Sequence, residues 1–143
     1  MTALVFVDTN VFLYMVDKAD ATKHDRARAW RELLWKTRRG RVSFQVLQEF
    51  YANVCKKWPR EKDAARLEIT DLLVWGPVLM DGELLQLGWR LQDRFGFSFW
   101  DSLIVAAAKA SRCDVLLSED FQVGQDLDGL EVVNPFLRQP DQI

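Results

Sequence analysis

The chain opens with a continuous apolar run from Ala3 to Val7, rich in β-branched residues and ended by Asp8. Such a run, without polar alternation, predicts a strand buried on both faces, the kind that parallel sheets make. A short helix is expected from Asn10 to Asp17, with Thr9 or Asn10 as its N-cap. A second helix spans 21–39, with Ala27, Trp30 and Leu34 on its apolar stripe and Gly40 as its stop. A brief strand over Arg41 to Phe44 then leads into helices over about Gln45 to Lys57, closed by Pro59, and Glu61 to Trp75. Pro77 to Met80 reads as another short strand. Asp81 caps a helix to about Arg94, ended by Gly96, and Ser98 starts one that reaches Ala110. Asp114 to Leu117 and Leu130 to Val133 read as two further strands. Strands that alternate with helices in this way predict an α/β sandwich with a mainly parallel sheet. Only the last residues, from about Arg138, look loose.

Composition narrows the setting. The 143 residues, 49% hydrophobic and 28% charged, predict one soluble domain over residues 1–143. A chain of this length buries roughly two-thirds of the surface its unfolded form exposes, so it needs no disulfide or structural metal to hold a core. The two cysteines, Cys55 and Cys113, lack Cys-x-x-Cys spacing, and the single His24 leaves too few soft ligands for zinc. A reducing, cytoplasmic compartment fits that usage. No apolar run approaches the ~20 residues of a membrane span, and Asp8 interrupts the first apolar stretch too early for a signal peptide. Neither secretion nor membrane insertion is expected.

The net charge of -2 speaks superficially against a nucleic-acid partner, but its distribution does not. Residues 18–66 carry 14 Lys and Arg against six Asp and Glu, a local charge of +8, and the remainder carries -10. Such asymmetry hints at a polyanionic partner, although a solvated basic helix pair accounts for it as well.

Acids interrupt apolar patterns at informative places. Asp8 ends the first strand, where open α/β sheets place their ligands. Glu49 belongs to the stripe Val46, Glu49, Phe50, Asn53, Val54, and Asp101 to Asp101, Ile104, Val105, Ala108, which sets both on the buried faces of their helices. Asp120 follows Ser118 at the end of the strand over 114–117. Each acid has a structural alternative. Asp8 suits an N-cap or Asx turn, Asp101 the N3 position of a capping box begun by Ser98, and Asp120 an ordinary turn beside Glu119. A buried mid-helix Glu49 without a partner would cost several kcal/mol, roughly. If the four acids converge, their repulsion calls for a cation, and all-oxygen ligation selects Mg2+ or Mn2+. Metal ions held by a few carboxylates, with open water positions, serve phosphodiester hydrolysis, and the basic segment would then contact a nucleic-acid backbone. A phosphatase built on a nucleophilic Asp8 would want a second Asp two residues on, where Asn10 stands, and no Gly-rich phosphate loop exists.

Four short segments, Val7 to Asn10, Gln45 to Phe50, Phe99 to Ile104 and Leu117 to Asp120, resemble in order the four acidic motifs of PIN-domain ribonucleases, and more closely of VapC-type toxins of type II toxin–antitoxin pairs. The resemblance extends from the first strand to Pro135. It implies a three-layer α/β/α sandwich and a Mg2+-dependent endoribonuclease that acts on RNA, forms a homodimer and is inhibited by a small cognate antitoxin. It matches Asp8 and Asp101 to the acids that bind metal most directly, Glu49 to the helix acid that holds a metal-bound water or second metal, and Asp120 to the fourth acid. Ser118 and Asn10 match supporting polar residues. Ser102 departs from the pattern, which commonly has Ala there, and Glu119 is placed to exchange roles with Asp120. The competing expectation is a PIN-fold module that binds nucleic acid or protein without catalysis. His24 reads as a solvated side chain, and the six Trp as core or dimer-interface residues, with Trp58 beside Lys56, Lys57 and Arg60 also suited to stacking on a base.

Overall fold

The computed structural model describes residues 3–143. Four short strands, β1 (Val5–Val7), β2 (Gly40–Arg41), β3 (Val115–Leu117) and β4 (Glu131–Val133), form one sheet in the order β2-β1-β3-β4, with every pairing parallel. The two central strands, Val-Phe-Val and Val-Leu-Leu, are wholly buried, as their unbroken apolar runs require. Val7 aligns with Leu117, so the residues that follow β1 and β3 emerge side by side.

Six helices surround this sheet: α1 (Thr9–Val16), α2 (Ala21–Thr37), α3 (Phe44–Lys57), α4 (Lys62–Leu72), α5 (Gly82–Phe95) and α6 (Phe99–Ala110). The first packs on the second and third, α3 packs on α4, and α5 packs on α6, which gives the three-layer α/β/α arrangement. Five of the six start on an Asp or Ser whose side chain accepts a backbone N–H of the first turn: Asp8, Asp20, Ser43, Asp81 and Ser98. Each cap satisfies a donor that the helix leaves orphaned.

The departures from the expected elements have local causes. Helix α1 is capped by Asp8 rather than Thr9 or Asn10. Helix α2 ends on Arg38, which adopts a left-handed conformation with φ 58° and ψ 29°, and Gly40 instead opens β2. The expected strand over Arg41 to Phe44 is cut short because Ser43 already caps α3. Pro77 to Met80 forms only an isolated bridge between Val78 and Ser43. The C-terminal segment is pinned: the buried indole of Trp30 donates to the carbonyls of Pro135 at 2.9 Å and Arg138 at 3.1 Å, and 140–142 make a single 3-10 turn. No helix among the described residues is long and apolar enough to cross a membrane.

Candidate active site

The strand order creates a switch point. From β1 the chain crosses to β2 on one side, and β3 later returns to the other side of β1. Parallel sheets open a crevice at the carboxyl ends of two such strands, and Asp8 and Ser118 are the residues that follow them.

A hydrogen-bonded group fills this crevice. One oxygen of Asp8, Oδ1, accepts the Thr9 amide at 2.7 Å in the cap of α1, while Oδ2 accepts the hydroxyl of the fully buried Ser118 at 2.8 Å. The Asn10 amide Nδ2 donates to Asp120 Oδ2 at 3.0 Å and to Ser118 Oγ at 3.2 Å, and it lies 3.5 Å from Asp8 Oδ2. Ser118 Oγ also accepts the Asp120 backbone N–H at 3.0 Å. Asn10 and Ser118 thus tie the acid after β1 to the acid after β3.

Glu49 is held from two directions. Thr9 Oγ1 donates to Oε2 at 2.8 Å, and Gln45 Nε2 donates to Oε1 at 3.0 Å while reaching the Trp100 carbonyl at 3.3 Å. The half-buried Glu49 therefore has the partners its position in the apolar stripe demands. The sequence pattern assigns neither Thr9 nor Gln45 a role at the site. Gln45 had a signal, since it lies one helical turn before Glu49 on the same face.

Asp101 is not on the buried face of α6. It sits exposed in the first turn, and its amide donates to the N-cap Ser98 Oγ at 3.1 Å. The buried run of α6 begins one residue later, with Ser102 and Leu103. His24 is likewise buried rather than solvated, with Nδ1 2.8 Å from the Tyr14 carbonyl. Trp58 packs half-buried on the core, with Lys57 Nζ 5.9 Å from its ring centroid.

Electrostatics join the four acids. Burial pushes the Asp8 carboxyl up from 3.8 to about 6, against the lowering effect of the Ser118 and Thr9 hydrogen bonds, and the charges of Asp120 and Glu49 raise it further. Asp101 is also raised, first by desolvation and then by Asp120 and Glu49, with the Ser98 hydroxyl opposing. Asp120 and Glu49 thus bear on both of the other acids. Glu119 is separate: its carboxylate pairs with Lys23 Nζ at 2.9 Å.

The chemistry of these donors suits a hard divalent cation, since every side chain is an oxygen ligand and the buried Asp8 resists ionising without a counter-charge. Among the described residues no three acidic, His or Cys side chains are grouped to hold one ion. A small cation bound by one or two carboxylates and completed by water fits that arrangement.

A parallel sheet between helical layers, with an acidic crevice at its switch point, defines the class. Residues 5–125 match the PIN domain family, and the chain belongs to that family. Three solved structures share the fold. A toxin–antitoxin complex from Klebsiella pneumoniae superimposes with a TM-score of 0.65 at 16% identity, covering 92% of this chain and 97% of that one. VapC20 of Mycobacterium tuberculosis, a toxin that cleaves the sarcin–ricin loop, gives 0.60 at 20% identity, covering 81% of this chain and 89% of that one. VapBC2 of Rickettsia felis, bound to a DNA fragment from its promoter, gives 0.58 at 17% identity, covering 90% and 96%. A comparison with curated proteins finds no match.

Proposed function

We propose that this protein is a Mg2+- or Mn2+-dependent endoribonuclease and the toxin of a type II toxin–antitoxin pair. The observation that carries this reading is the tie between Asp8 and Asp120 through Asn10 and Ser118 at the switch point, with Glu49 and Asp101 in the same electrostatic field. Its kinship in fold with VapC20, a toxin that cleaves the sarcin–ricin loop, with a toxin–antitoxin complex and with VapBC2 supports an RNA substrate and a small antitoxin partner. A homodimer and a cytoplasmic setting belong to the same proposal, and the two free thiols suit a reducing compartment.

In this reading Asp8 and Asp101 are the principal ligands, with Asp120 and Glu49 beside them. A cation held by these residues would supply a nucleophilic water at neutral pH and neutralise charge on the phosphoryl group. The chain's own residues prepare the site. Ser118 and Asn10 fix the Asp8 and Asp120 carboxylates, so little reorganisation is needed when a cation arrives. Glu49 accepts one hydrogen bond on each oxygen from Thr9 and Gln45 and keeps lone pairs to accept a proton from water. Four carboxylates alone would repel a phosphodiester. Among the described residues, the bases of 18–66 that pair with carboxylates are Lys23, Arg31 and Lys36, which leaves exposed ones such as Lys56, Lys57 and Arg60 for the RNA backbone.

The absence of a three-acid group among the described residues favours a second reading, a PIN-fold module that binds without cleaving. Incubation of the pure chain with structured RNA decides between them. The nuclease reading expects cleavage with Mg2+ or Mn2+ that EDTA abolishes and that Asp8→Asn and Asp101→Asn lose; cleavage indifferent to both substitutions overturns it.

A further inference from the structure

The end of the sheet opposite the acids carries a second cavity. Gly40 opens β2 in register with Val5, so Arg38 and Arg39 lie at the amino-terminal edge, while Asp8 and Ser118 follow the carboxyl ends. There a cavity of about 650 Å³ is lined by Trp35, Arg38, Arg41, Val74, Trp75 and Gly76. That volume falls within the roughly 300–1,000 Å³ typical of small-ligand sites.

Its walls are built. The two indoles lie with ring centroids 6.3 Å apart, and Trp75 stands so close to Gly40 that a Cβ there would meet its ring at 2.3 Å. Arg31 covers the Trp35 ring at 4.6 Å and is itself fixed by Glu68 at 2.6 Å. Arg41 Nη1 donates to the carbonyls of Gly40 at 2.7 Å and Arg38 at 3.1 Å, which orients its guanidinium. Among the described residues no carboxylate lies within 4.0 Å of Arg38 or Arg41, in contrast to Arg31 and Arg94, which are both paired.

We propose that this cavity binds a nucleotide unit, with its phosphate on Arg38 and Arg41 and its base against the half-buried Trp35 and the accessible edge of the nearly buried Trp75, at a site separate from the acidic crevice. Guanidinium forks match phosphate oxygens, and aromatic side chains accept any base. A ligand with only an anion would leave the indole walls unused, and one with only an aromatic group would leave two cations without a counter-charge. The unit comes either from a free nucleotide or from an RNA chain that passes this edge. The inference does not depend on hydrolysis at the acids.

The test is a titration of the 15N-labelled full chain in EDTA, read at the Trp35 and Trp75 indole N–H resonances, with adenosine 5′-monophosphate in one arm and a ten-residue oligoribonucleotide in the other. Saturable shifts of these indoles are expected, weakened about tenfold or more in Arg38→Gln and in Arg41→Gln. Adenosine alone and inorganic phosphate alone are expected to bind at least about tenfold more weakly than the nucleotide, since each engages half of the site. Val74→Glu, at an exposed wall position, is expected to abolish the shifts, and with Arg38→Gln it keeps the test valid if Arg41→Gln does not fold. Equal saturation in both arms assigns a free nucleotide, and saturation by the oligomer alone assigns an RNA chain. Indoles unmoved by either titrant, or moved in Arg38→Gln and Val74→Glu just as in the parent chain, overturn the proposal, whether or not the chain cleaves RNA.

Discussion

Lys23 Nζ meets Glu119 at 2.9 Å, and this ion pair gives two neighbouring acids different fates. Glu119 is turned to the Lys23 amine, which also lies 4.9 Å from the centroid of the Tyr14 ring, whereas Asp120 accepts from Asn10 in the crevice. The expected outcome is a loss of about 100-fold or more in RNA cleavage for Asp120→Asn and a change within about twofold for Glu119→Gln, since the Glu119 carboxylate faces Lys23 and not the crevice. Initial rates of the two variants on one RNA check it; equal losses would return Glu119 to the site.

Asp8 links activity to stability. Its carboxyl titrates near 6 in the fold and near 3.8 when unfolded. Below about 3.8 both states are protonated and the group is neutral to folding. Between the two values the unfolded chain gives up its proton first, so metal-free stability falls as pH rises, by on the order of 2–3 kcal/mol once pH exceeds 6. Asp8→Asn keeps a capping side chain and removes the charge. Its metal-free melting temperature is expected to exceed that of the parent at pH 7.5 and to converge with it near pH 4, by calorimetry across that range.

Mg2+ or Mn2+ is expected to raise the melting temperature of the parent chain, because an ion that binds only the native state stabilises it by RT ln(1 + [L]/Kd). Asp8→Asn and Asp101→Asn should each lose most of that increment. A thermal-shift series in either metal, with Ca2+ and EDTA controls, reads it without reference to catalysis.

Thr9 serves two acids, with its amide on Asp8 and its hydroxyl on Glu49. Thr9→Val preserves the first bond and deletes the second, which leaves the Glu49 carboxylate held only by Gln45. The expected result is a fall of about tenfold in kcat with KM little changed, recovered in Thr9→Ser. A structural role alone would move the melting temperature and leave the recovered variant no faster.

The central strands and most helices were legible because unbroken apolar runs and Ser or Asp caps are local signals. What escaped was non-local. β2 has two residues, one of them a charged Arg41, and acquires strand geometry only by pairing with Val5 and Phe6. The acids of the candidate site stand out in the sequence, Asp8, Glu49 and Asp101 against apolar patterns and Asp120 at a strand end, yet the bonds that tie the site together span as many as 110 residues, as between Asn10 and Asp120, and no periodicity encodes such a bond. Asp101 was misplaced because heptad-like spacing assigns a face without regard to position along the helix, and a first-turn residue projects past the layer that buries the rest.

Gly40 tests how tightly that two-residue strand is specified. Its φ is ordinary, so backbone freedom is not what selects glycine; the Trp75 ring is, with three ring carbons 2.3–2.5 Å from where a Cβ would stand. The indole is nearly buried and rests beside Trp35, so it has little room to retreat. Gly40→Ala is therefore expected to destabilise the fold by about 2 kcal/mol through overpacking. Trp75→Leu alone should also destabilise, by leaving a cavity, but the double variant should cost less than the sum, since the smaller side chain makes space for the new methyl. Denaturant unfolding of the four proteins measures the coupling, and strict additivity would show that the contact between β2 and the indole does not select glycine at this position.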